Sequence, residues 1–484
     1  MKIEYNLTID EILDSTDGRT VITGDGTNPL VFNEIITDSR EDFSSNSIFI
    51  ALKGKNFNGE DFVDAAFKKG ASCAIVSWNF LEVYDISVYP RKIIIAVEDA
   101  VSALGSIAEI YLRRFDLKKK IAITGSCGKT TTKEMVYRII SAKYGKEKIL
   151  KNNYNYNNLI GVPKAILNLN NKHEYIVLEI GTNKKGEIRK LSGIISPDIG
   201  AITNIGKSHL AEFKDIKGVL KEKSDLTLSL KGDSCLIINA DDETLSKTYN
   251  KLSETNRLSF GFGLKHYGVI MPDILCESAK VNKKTGGTNL RLSFKGKEYF
   301  SNIGFQGIHL IYDLLCALLI SYVCGVDLES GLKAMEDFIL PEGRMKVISG
   351  ISDECILIDD TYNSSPDSLM AALDFVKTYY ADKKKILVLG DMLELGDSSD
   401  IEHVNIGREI ADYADYIFYK GDYIDSIRRG LSEVGFDDNK LYLFRDKEIF
   451  REKFQKLDKK NSVVLVKGSR EMKLEECFEG EKIC

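Results

Sequence analysis

The stretch IAITGSCGKTTTKEM (121–135) reads as an apolar strand, a turn with two glycines and the first turns of a helix. Backbone N–H groups of such a turn, together with the helix N-terminus, hold phosphate oxygens. Lys129 would neutralise the β and γ phosphates of a nucleotide, and the Thr130 hydroxyl would reach Mg²⁺. We therefore predict a nucleotide site formed by Gly125, Ser126, Cys127, Gly128, Lys129, Thr130 and Thr131.

The longer phosphate-loop pattern G-x-x-x-x-G-K-[S/T] is incomplete, because Ile123 occupies the position of its first glycine. What remains is G-x-x-G-K-T-T, and an ordinary strand-to-helix turn is the alternative interpretation of so short a string. The apolar strand before the turn and the helix after it favour the nucleotide site.

The rest of the chain divides into α/β units around this stretch. A length of 484 residues suggests roughly three domains, and residues 1–115 alternate short strands and helices. From residue 346 onward, strands alternate with helix-like stretches, which predicts a parallel, doubly wound sheet with helices on both faces. Residues 280–294 read as a hairpin around Gly286-Gly287. We predict domains at residues 1–115, 116–345 and 346–484.

Two polar residues follow apolar strands of the central unit. Glu179 ends the run IVLE (176–179), and His209 follows ITNIGKSH (202–209). An open α/β sheet binds its ligands beyond the carboxyl ends of its strands, so both residues, with Thr130, are candidate Mg²⁺ ligands. Taken singly, Glu179 fits a structural ion pair equally well, and His209 fits a capping residue of a loop.

Composition argues against several classes of protein. Hydrophobic residues make up 43% of the chain and charged residues 29%, which argues against disorder. The net charge of -6 lacks the basic bias of a nucleic-acid-binding protein. The nine cysteines include no C-x-x-C pair, and the apolar stretch 310–326 is short for a bilayer span and contains Asp313. We expect a cytoplasmic protein with no nucleic-acid partner and no integral membrane segment.

With the phosphate-binding string in place, the rest of the chain resembles the Mur ligases. TDSR (37–40) with FIALKGKNFNGEDFV (49–63) looks like the uridine-diphosphate-binding segment of that family. Central motifs of the family are matched by NYNNLIGVP (155–163), LEIGTNKKGEI (178–188), ITNIGKSHL (202–210) and GRMK (343–346). The member that adds a D-alanyl-D-alanine dipeptide is resembled by DDTYNSSPDSLMAAL (359–373), LGDMLELG (389–396) and VLVKGSREMKLE (464–475).

This resemblance implies an architecture and an activity. The architecture has three domains, with a central P-loop ATPase-like parallel sheet and a C-terminal Rossmann-like domain. The activity is ATP-dependent ligation of D-alanyl-D-alanine to a UDP-N-acetylmuramoyl tripeptide through an acyl phosphate, a step of peptidoglycan biosynthesis. The implied cofactors are ATP and Mg²⁺, and the implied chain is a monomer.

The resemblance also assigns roles to residues of this sequence. Catalysis would depend on Lys129, His209, Lys223 and Arg344, and the metal would be held by Thr130, Glu179, His209 and Lys223. The ATP site would gain His309, Arg344 and Asp360. The UDP-peptide and ligation sites would include Ser39, Arg40, Asn157, Asn158, Tyr362, Asn363 and Ser365.

Lys223 carries the most unusual of these roles. In the family, the second lysine of the helix that matches 215–226 is carboxylated by CO₂ to a carbamate, and that position is Lys223 rather than Lys221. A carbamate offers two hard oxygen ligands to Mg²⁺, whereas an ammonium beside the ion would be repelled. The alternative is a solvated helix face formed by Lys214, Lys217, Lys221 and Lys223.

Two positions depart from the family pattern at the adenine side. The family reads G-x-H-N-x-x-N, whereas this chain has Leu310 and Asp313 in place of the two asparagines. An amide that pairs with the base edge contributes to discrimination, so its loss predicts weak selectivity for adenine over guanine. Near the ligation site, Ser364 and Ser365 replace the commoner Ala-Asn.

Three alternative functions stay open at this point. The first two are the sister ligase that adds the third amino acid and a folylpolyglutamate synthase, which shares the central domain. The TDSR segment disfavours the folate enzyme, and Tyr362-Asn363 disfavours the sister ligase, which usually has a His-containing string there. The third is a non-catalytic protein that binds a UDP-sugar peptide; intact Lys129, Thr130, Glu179 and His209 disfavour it.

Overall fold

The computed structural model describes residues 1–23, 31–54, 56–153, 156–252, 255–263, 270–282, 286–349 and 355–478. Four predicted features fall partly outside these ranges. They are Lys55 of the segment 49–63, Asn155 of the Asn-rich motif, residues 283–285 of the hairpin, and residues 350–354 and 479–484 of the third predicted domain.

The first sheet is formed by residues near the N-terminus. Its six strands lie in the order β1-β3-β4-β5-β6-β2, with the two outer strands antiparallel to their neighbours. The strands are β1 (Lys2–Thr8), β2 (Arg19–Thr23), β3 (Val31–Ile36), β4 (Ser47–Ile50), β5 (Cys73–Ser77) and β6 (Lys92–Val97). The helices are α1 (Ile9–Thr16), α2 (Val63–Lys68), α3 (Phe80–Val83) and α4 (Ala100–Leu112).

The second sheet has nine strands in the order β15-β14-β13-β12-β11-β10-β7-β9-β8. They are β7 (Lys119–Thr124), β8 (Ile149–Lys151), β9 (Tyr175–Glu179), β10 (Ile199–Ile202), β11 (Cys235–Asn239), β12 (Asn256–Gly261), β13 (Ile274–Asn282), β14 (Gly287–Phe294) and β15 (Lys297–Ile303). The helices are α5 (Lys129–Tyr144), α6 (Gly161–Ile166), α7 (Glu187–Ile195), α8 (Leu210–Phe213), α9 (Ile216–Ser224), α10 (Glu243–Leu252), α11 (Ile308–Val323) and α12 (Leu328–Lys333).

The third sheet has six strands in the order β16-β17-β21-β18-β19-β20. They are β16 (Lys346–Ser349), β17 (Cys355–Asp360), β18 (Lys384–Gly390), β19 (Tyr416–Lys420), β20 (Leu441–Leu443) and β21 (Ser462–Lys467). The helices are α13 (Pro366–Tyr379), α14 (Ser399–Ile410), α15 (Ile424–Glu433) and α16 (Lys447–Gln455).

The predicted α/β class is confirmed, with two differences inside the sheets. The second sheet is parallel only from β8 to β13, because β14 and β15 extend it as an antiparallel meander, and Asn282 pairs with Gly287 across the predicted hairpin. The third sheet is parallel except for β16, an edge strand that pairs antiparallel with β17. An edge strand has a neighbouring strand on one side only and is more exposed to solvent. Its hydrophobic sequence pattern is therefore weaker than that of a buried parallel strand.

The centre of the second sheet positions the phosphate-binding turn. β7 lies between β9 and β10, with Ile123 opposite Glu179 and Thr124 opposite Ile202. All three strands are fully buried at their carboxyl ends, and all three end at the same edge of the sheet. Parallel pairing therefore brings residues from three separate segments to one crevice.

Candidate active site

The phosphate-binding turn joins β7 to α5 and depends on two glycines. Gly125 and Gly128 have φ angles of +151° and +83°, a region that side chains disfavour. A Cβ at Gly125 would lie 1.9 Å from Thr203 Oγ1, and one at Gly128 would lie 2.1 Å from Asp313 Oδ1. Neighbouring segments close so tightly around the turn that only glycine fits at either position.

The loop after β10 fixes the turn from another side. Asn204 Oδ1 accepts the Cys127 N–H at 2.9 Å, and the Asn204 carbonyl accepts the Ser126 N–H at 3.0 Å. The Thr203 hydroxyl donates to the Cys127 carbonyl at 2.5 Å. Sequence reasoning missed Thr203 and Asn204, although both directly follow an apolar strand, where ligand-side residues of an open sheet lie.

Two ammonium groups meet at one carbonyl of the turn. Lys129 Nζ donates to the Gly125 carbonyl at 2.8 Å, and Lys223 Nζ donates to the same oxygen at 2.9 Å. Burial, followed by repulsion from Lys129, lowers the pKa of Lys223 to about 7. Lys223 is buried and faces the turn, whereas Lys221 on the same helix is exposed.

Glu179 lies at the end of β9 beside the turn, with 2% of its surface exposed. Its Oε2 accepts the Thr130 hydroxyl at 2.7 Å, and its Oε1 accepts the side-chain amide of Asn157 at 2.8 Å. The other asparagine of that motif, Asn158, instead accepts the N–H groups of Ile160 and Gly161 at 3.1 and 2.8 Å at the start of α6.

The oxygens around Glu179 suit Mg²⁺. Among the described residues, no group of three or more His, Cys, Asp and Glu is placed to hold a metal ion. Mg²⁺ does not need such a group, since it is usually bound by one or two carboxylates together with water and substrate phosphates. The Glu179 carboxylate and the Thr130 hydroxyl beside a phosphate-binding turn match that pattern.

His209 is engaged by the third sheet. Its Nδ1 lies 2.7 Å from Oε2 of Glu394, which belongs to the loop after β18. The backbone of the same loop is held nearby, because the Ala211 N–H donates to the Glu394 carbonyl at 3.2 Å. The structure brings Thr130 and Glu179 into contact and directs Nδ1 of His209 to Glu394, so a metal-binding role for His209 stays a prediction.

Arg344, two residues before β16, reaches back to the turn. Its Nη2 donates to Thr130 Oγ1 at 3.1 Å. The guanidinium carbon lies 3.9 Å from the centroid of the Tyr362 ring, a cation–π contact that fixes the direction of the side chain. Arg344 and, through it, Tyr362 of the third unit are thereby brought to the phosphate-binding turn.

The N-terminus of α13 also lies against the turn. Ser365 caps this helix through its hydroxyl, and the same oxygen lies 3.7 Å from Cys127 Sγ. Asp367 in the first turn of α13 accepts the Lys207 N–H at 2.6 Å, and Lys207 Nζ donates to Glu402 at 2.7 Å. The loop after β10 is therefore bound on one side to the turn and on the other to helices of the third sheet.

Asp360 ends β17 and forms a buried ion pair that the sequence did not indicate. Lys467 Nζ donates to its Oδ2 at 2.5 Å, and the two residues are 2% and 8% exposed respectively. The same ammonium donates to the Asn363 carbonyl at 2.9 Å. Lys467 ends β21, next to β17, so its strand-end position was the signal that could have identified it.

The adenine-side motif begins α11 and contacts both the turn and α13. The His309 ring lies 6.4 Å from that of Phe375, and burial lowers the pKa of His309 to about 4. Leu310 is buried in the core. Asp313 faces the turn, with Oδ1 3.4 Å from Thr132 Oγ1, and burial raises the pKa of its carboxyl well above the usual range.

The predicted uridine-side residues lie on the loop after β3. Asp38 accepts three hydrogen bonds from the Arg40 guanidinium, at 2.9, 3.2 and 2.7 Å, and this pairing holds the pKa of Asp38 well below its usual range. Lys69 Nζ donates to the carbonyls of Ser39 and Arg40 at 2.8 and 3.1 Å. The Arg40 side chain is exposed, and its role as a ligand stays a prediction.

Comparison with known proteins supports a common origin over most of the chain. Two family models match, the Mur ligase middle domain over residues 123–321 and the Mur ligase glutamate ligase domain over residues 343–470. The UDP-N-acetylmuramoyl-tripeptide–D-alanyl-D-alanine ligase of Bacillus subtilis (strain 168) is 32% identical over 451 residues, 92% of each chain. The enzyme of the same name from Buchnera aphidicola subsp. Acyrthosiphon pisum is 34% identical and covers 93% of each chain.

Solved structures agree in fold over nearly the full length. A crystal structure of MurF from Acinetobacter baumannii aligns with a TM-score of 0.83 at 29% identity and covers 99% of both chains. The MurF ligase from Thermotoga maritima in complex with ADP aligns with a TM-score of 0.78 at 25% identity, over 93% of this chain and 97% of that one. The chain therefore belongs to the Mur ligase family.

Proposed function

We propose that the chain uses ATP to ligate D-alanyl-D-alanine to UDP-N-acetylmuramoyl tripeptide, and so makes the UDP-linked pentapeptide of peptidoglycan biosynthesis. The observation that carries the proposal is the meeting point at Thr130. Its hydroxyl is bound both by Glu179 beside the phosphate-binding turn and by Arg344, whose guanidinium stacks on Tyr362 of the third unit. A phosphate site supported by a residue of another unit suits an enzyme that joins substrates held by different parts of the chain.

The chemistry needs stabilisation of negative charge more than it needs a nucleophile from the protein. A carboxylate is a poor electrophile, and transfer of the γ-phosphoryl group converts it to an acyl phosphate with a good leaving group. The amine of D-alanyl-D-alanine then attacks the acyl carbon, and phosphate leaves from the tetrahedral intermediate. Lys129 and Arg344 are the cations that would stabilise the transferring phosphoryl group.

Thr130 and Glu179 would hold Mg²⁺, which would supply positive charge against the phosphates of the nucleotide. We include His209 and a carbamate on Lys223 as further ligands. The support for the carbamate is the position of Lys223, buried at 2% exposure with its Nζ 2.9 Å from the Gly125 carbonyl. A neutral amine adds to CO₂ and releases a proton, and a pKa lowered to about 7 increases the neutral fraction at physiological pH.

The three sheets support a division of labour between three proposed domains. Residues 1–115 would bind the UDP end through Ser39 and Arg40. Residues 116–345 would bind ATP, with His309 at the adenine side, and residues 346–484 would bind the dipeptide along Tyr362, Asn363 and Ser365. Asp360 would contact the ribose of ATP from the third domain.

The proposed site of action is the cytoplasm, and the proposed form is a monomer. None of the described helices has the length and apolar content that a bilayer crossing requires.

A coupled assay of ADP release with a panel of acceptors tests the proposal. We expect turnover with UDP-N-acetylmuramoyl tripeptide, ATP and D-alanyl-D-alanine, and a product one dipeptide heavier by mass spectrometry. Turnover of a shorter UDP-peptide with free meso-diaminopimelate or lysine, but not with the dipeptide, would assign the chain to the sister ligase. Binding of the UDP-peptide without ADP release under any acceptor would make it a non-catalytic relative.

A further inference from the structure

Lys133 is a fully buried lysine on the helix of the phosphate-binding turn. Its side chain is 0% exposed, and its Nζ donates to the backbone carbonyl of Asn152 at 2.7 Å. It also forms an ion pair with Glu134, at 3.3 Å, whose carboxylate binds Lys151 as well. Burying an ammonium costs desolvation free energy that an apolar side chain of the same length would avoid, even with one ion pair and one hydrogen bond. Core packing alone therefore does not account for it.

Asn152 connects this lysine to Glu179. Strand β8 pairs with β9 as far as Lys151 opposite Val177, and Asn152 follows directly. Beyond the last paired residue, the side-chain amide of Asn152 makes the hydrogen bonds to β9 in place of the backbone. Its Oδ1 accepts the Glu179 N–H at 3.0 Å, and its Nδ2 donates to the Glu179 carbonyl at 2.8 Å. The amide thus holds the backbone of Glu179 on both sides, and it is itself fully buried.

Both the side chain and the backbone of Glu179 are consequently held by residues of, or bound to, helix α5. The carboxylate accepts the hydroxyl of Thr130, and the backbone is held by Asn152, whose carbonyl is bound by Lys133. Thr130 and Lys133 are three residues apart on α5, so they project from the same face of the helix. These contacts of Thr130, Lys133 and Asn152 fix the distance between the Glu179 carboxylate and the phosphate-binding turn.

We infer that Lys133 is a positioning residue, which holds the carboxylate of Glu179 in place for the magnesium–nucleotide complex by acting through Asn152. The inference rests on the proposed use of ATP with Mg²⁺. Residues that orient a metal ligand without touching the metal commonly change metal affinity by about 10–100-fold when they are replaced. Loss of the Lys133 ammonium should therefore weaken the response to Mg²⁺ and leave the fold intact.

The test compares Lys133→Met with Lys143→Met. Lys143 lies on the same helix and also donates to a backbone carbonyl, that of Gly325 at 2.6 Å, but it is exposed and near the far end of the helix. Isothermal titration calorimetry gives the Kd of ADP with and without Mg²⁺ for each chain. Without metal, we expect Lys133→Met to bind ADP with the same Kd as the wild type. With Mg²⁺, we expect its Kd for ADP to be about tenfold higher than that of the wild type. Lys143→Met should behave like the wild type.

A double-mutant cycle identifies the route of the effect. If Lys133 acts through Asn152, the Mg²⁺-dependent losses of Lys133→Met and Asn152→Ala will not add in the double variant. Additive losses would overturn the proposed route. Melting temperature separates positioning from stability: a positioning role predicts a Mg²⁺-dependent loss of ADP affinity in a chain that still melts cooperatively and keeps its metal-free affinity, even where the Asn152 carbonyl loses its donor and the melting temperature falls.

The possible failures are distinguishable. If Mg²⁺ does not increase the affinity of the wild type for ADP, the proposed function itself fails. If Mg²⁺ increases the ADP affinity of the wild type and of Lys133→Met equally, only the role of Lys133 is overturned. A Lys133→Met chain that does not fold, or that loses metal-free ADP binding to the same extent, assigns the residue to structure and also overturns the inference.

Discussion

The phosphate-binding turn and the Arg344 crevice (Arg344, Tyr362, Ser365 and Asp367) meet at Thr130 but are built in opposite ways. The turn is contiguous, since residues 125–132 follow one strand and open one helix. The crevice is assembled across the chain: Arg344 is 214 residues from Thr130, and Ser365 is 238 residues from Cys127. Local backbone geometry builds the first region, and packing between sheets builds the second.

This difference separates the two regions in what a substitution should do. In the turn, each side chain has one position, set by the strand and the helix, so the loss of a cation removes its function outright. In the crevice, charge and ring contacts support one another, so a conservative change should weaken the site in part. The following substitutions test this contrast, from the largest expected effect to the smallest.

Lys129→Ala should lower the rate of phosphate release by about 10²–10³-fold, because it removes a cation placed to stabilise the transferring phosphoryl group. Affinity for the UDP-tripeptide should stay close to that of the wild type, since that ligand is proposed to bind in the first domain. Steady-state phosphate release and calorimetric titration with the UDP-tripeptide measure the two effects. A release rate equal to that of the wild type would remove Lys129 from the proposed mechanism.

Lys223→Ala should be nearly inactive, about 10²-fold below the wild type, with partial recovery when short-chain carboxylic acids are added. The added acid would supply the oxygens that the proposed carbamate provides. Lys221→Ala is the matched control on the same helix, and its exposed side chain predicts a mild effect. An inactive Lys221→Ala with an active Lys223→Ala would contradict the assigned register of α9.

Arg344→Lys should lower kcat/KM for ATP by about tenfold, because lysine keeps the charge but loses the planar stacking on Tyr362. Tyr362→Leu should have an effect of the same size, since it removes the ring that directs the guanidinium. Tyr362→Phe keeps the ring and serves as the control. If Arg344→Lys were as inactive as Lys129→Ala, the crevice would not differ from the turn as we describe.

Asp313→Asn should raise the melting temperature by a few degrees at neutral pH, and the gain should grow with pH. Burial raises the pKa of Asp313 in the folded chain, so the folded state holds a proton that the unfolded state releases above about pH 4. The stabilising contribution of this carboxyl is therefore full below about pH 4 and is lost as the pH rises through its folded pKa. Asparagine does not titrate and avoids that loss.

Asp337→Asn is the control for this effect, because Asp337 is exposed and pairs with Arg138 at the surface. Thermal melts across pH 4–8 compare the two variants. A fall in melting temperature for Asp313→Asn at high pH would show that the buried carboxylate is compensated in the folded chain. The same variant, assayed with ATP and GTP, tests the prediction of weak adenine selectivity.

Much of the fold was visible in the sequence where strands are buried on both faces. The apolar runs KIIIAV (92–97) and CILIDD (355–360) predict strands, and these match β6 and β17 residue for residue. Continuous apolar runs bounded by polar residues mark such strands clearly. β16 was missed, because a short edge strand carries little hydrophobic pattern, and its pairing with β17 is a long-range event.

At the site, the sequence by itself determined the phosphate-binding turn, because its glycines, lysine and threonine are adjacent and their roles follow from local backbone geometry. The position of Glu179 beside Thr130 followed as well, because parallel strands end at one edge of a sheet.

The contacts of Asn152, Lys133, Lys467 and Glu394 were decided by the tertiary structure alone. Each of these contacts depends on which side chain of a distant segment faces a given polar group. The spacing of hydrophobic residues along the sequence does not predict such contacts. The free energy of a buried charge depends on the groups that surround it in the folded chain. Its partners are therefore known only once the packing of distant segments is known.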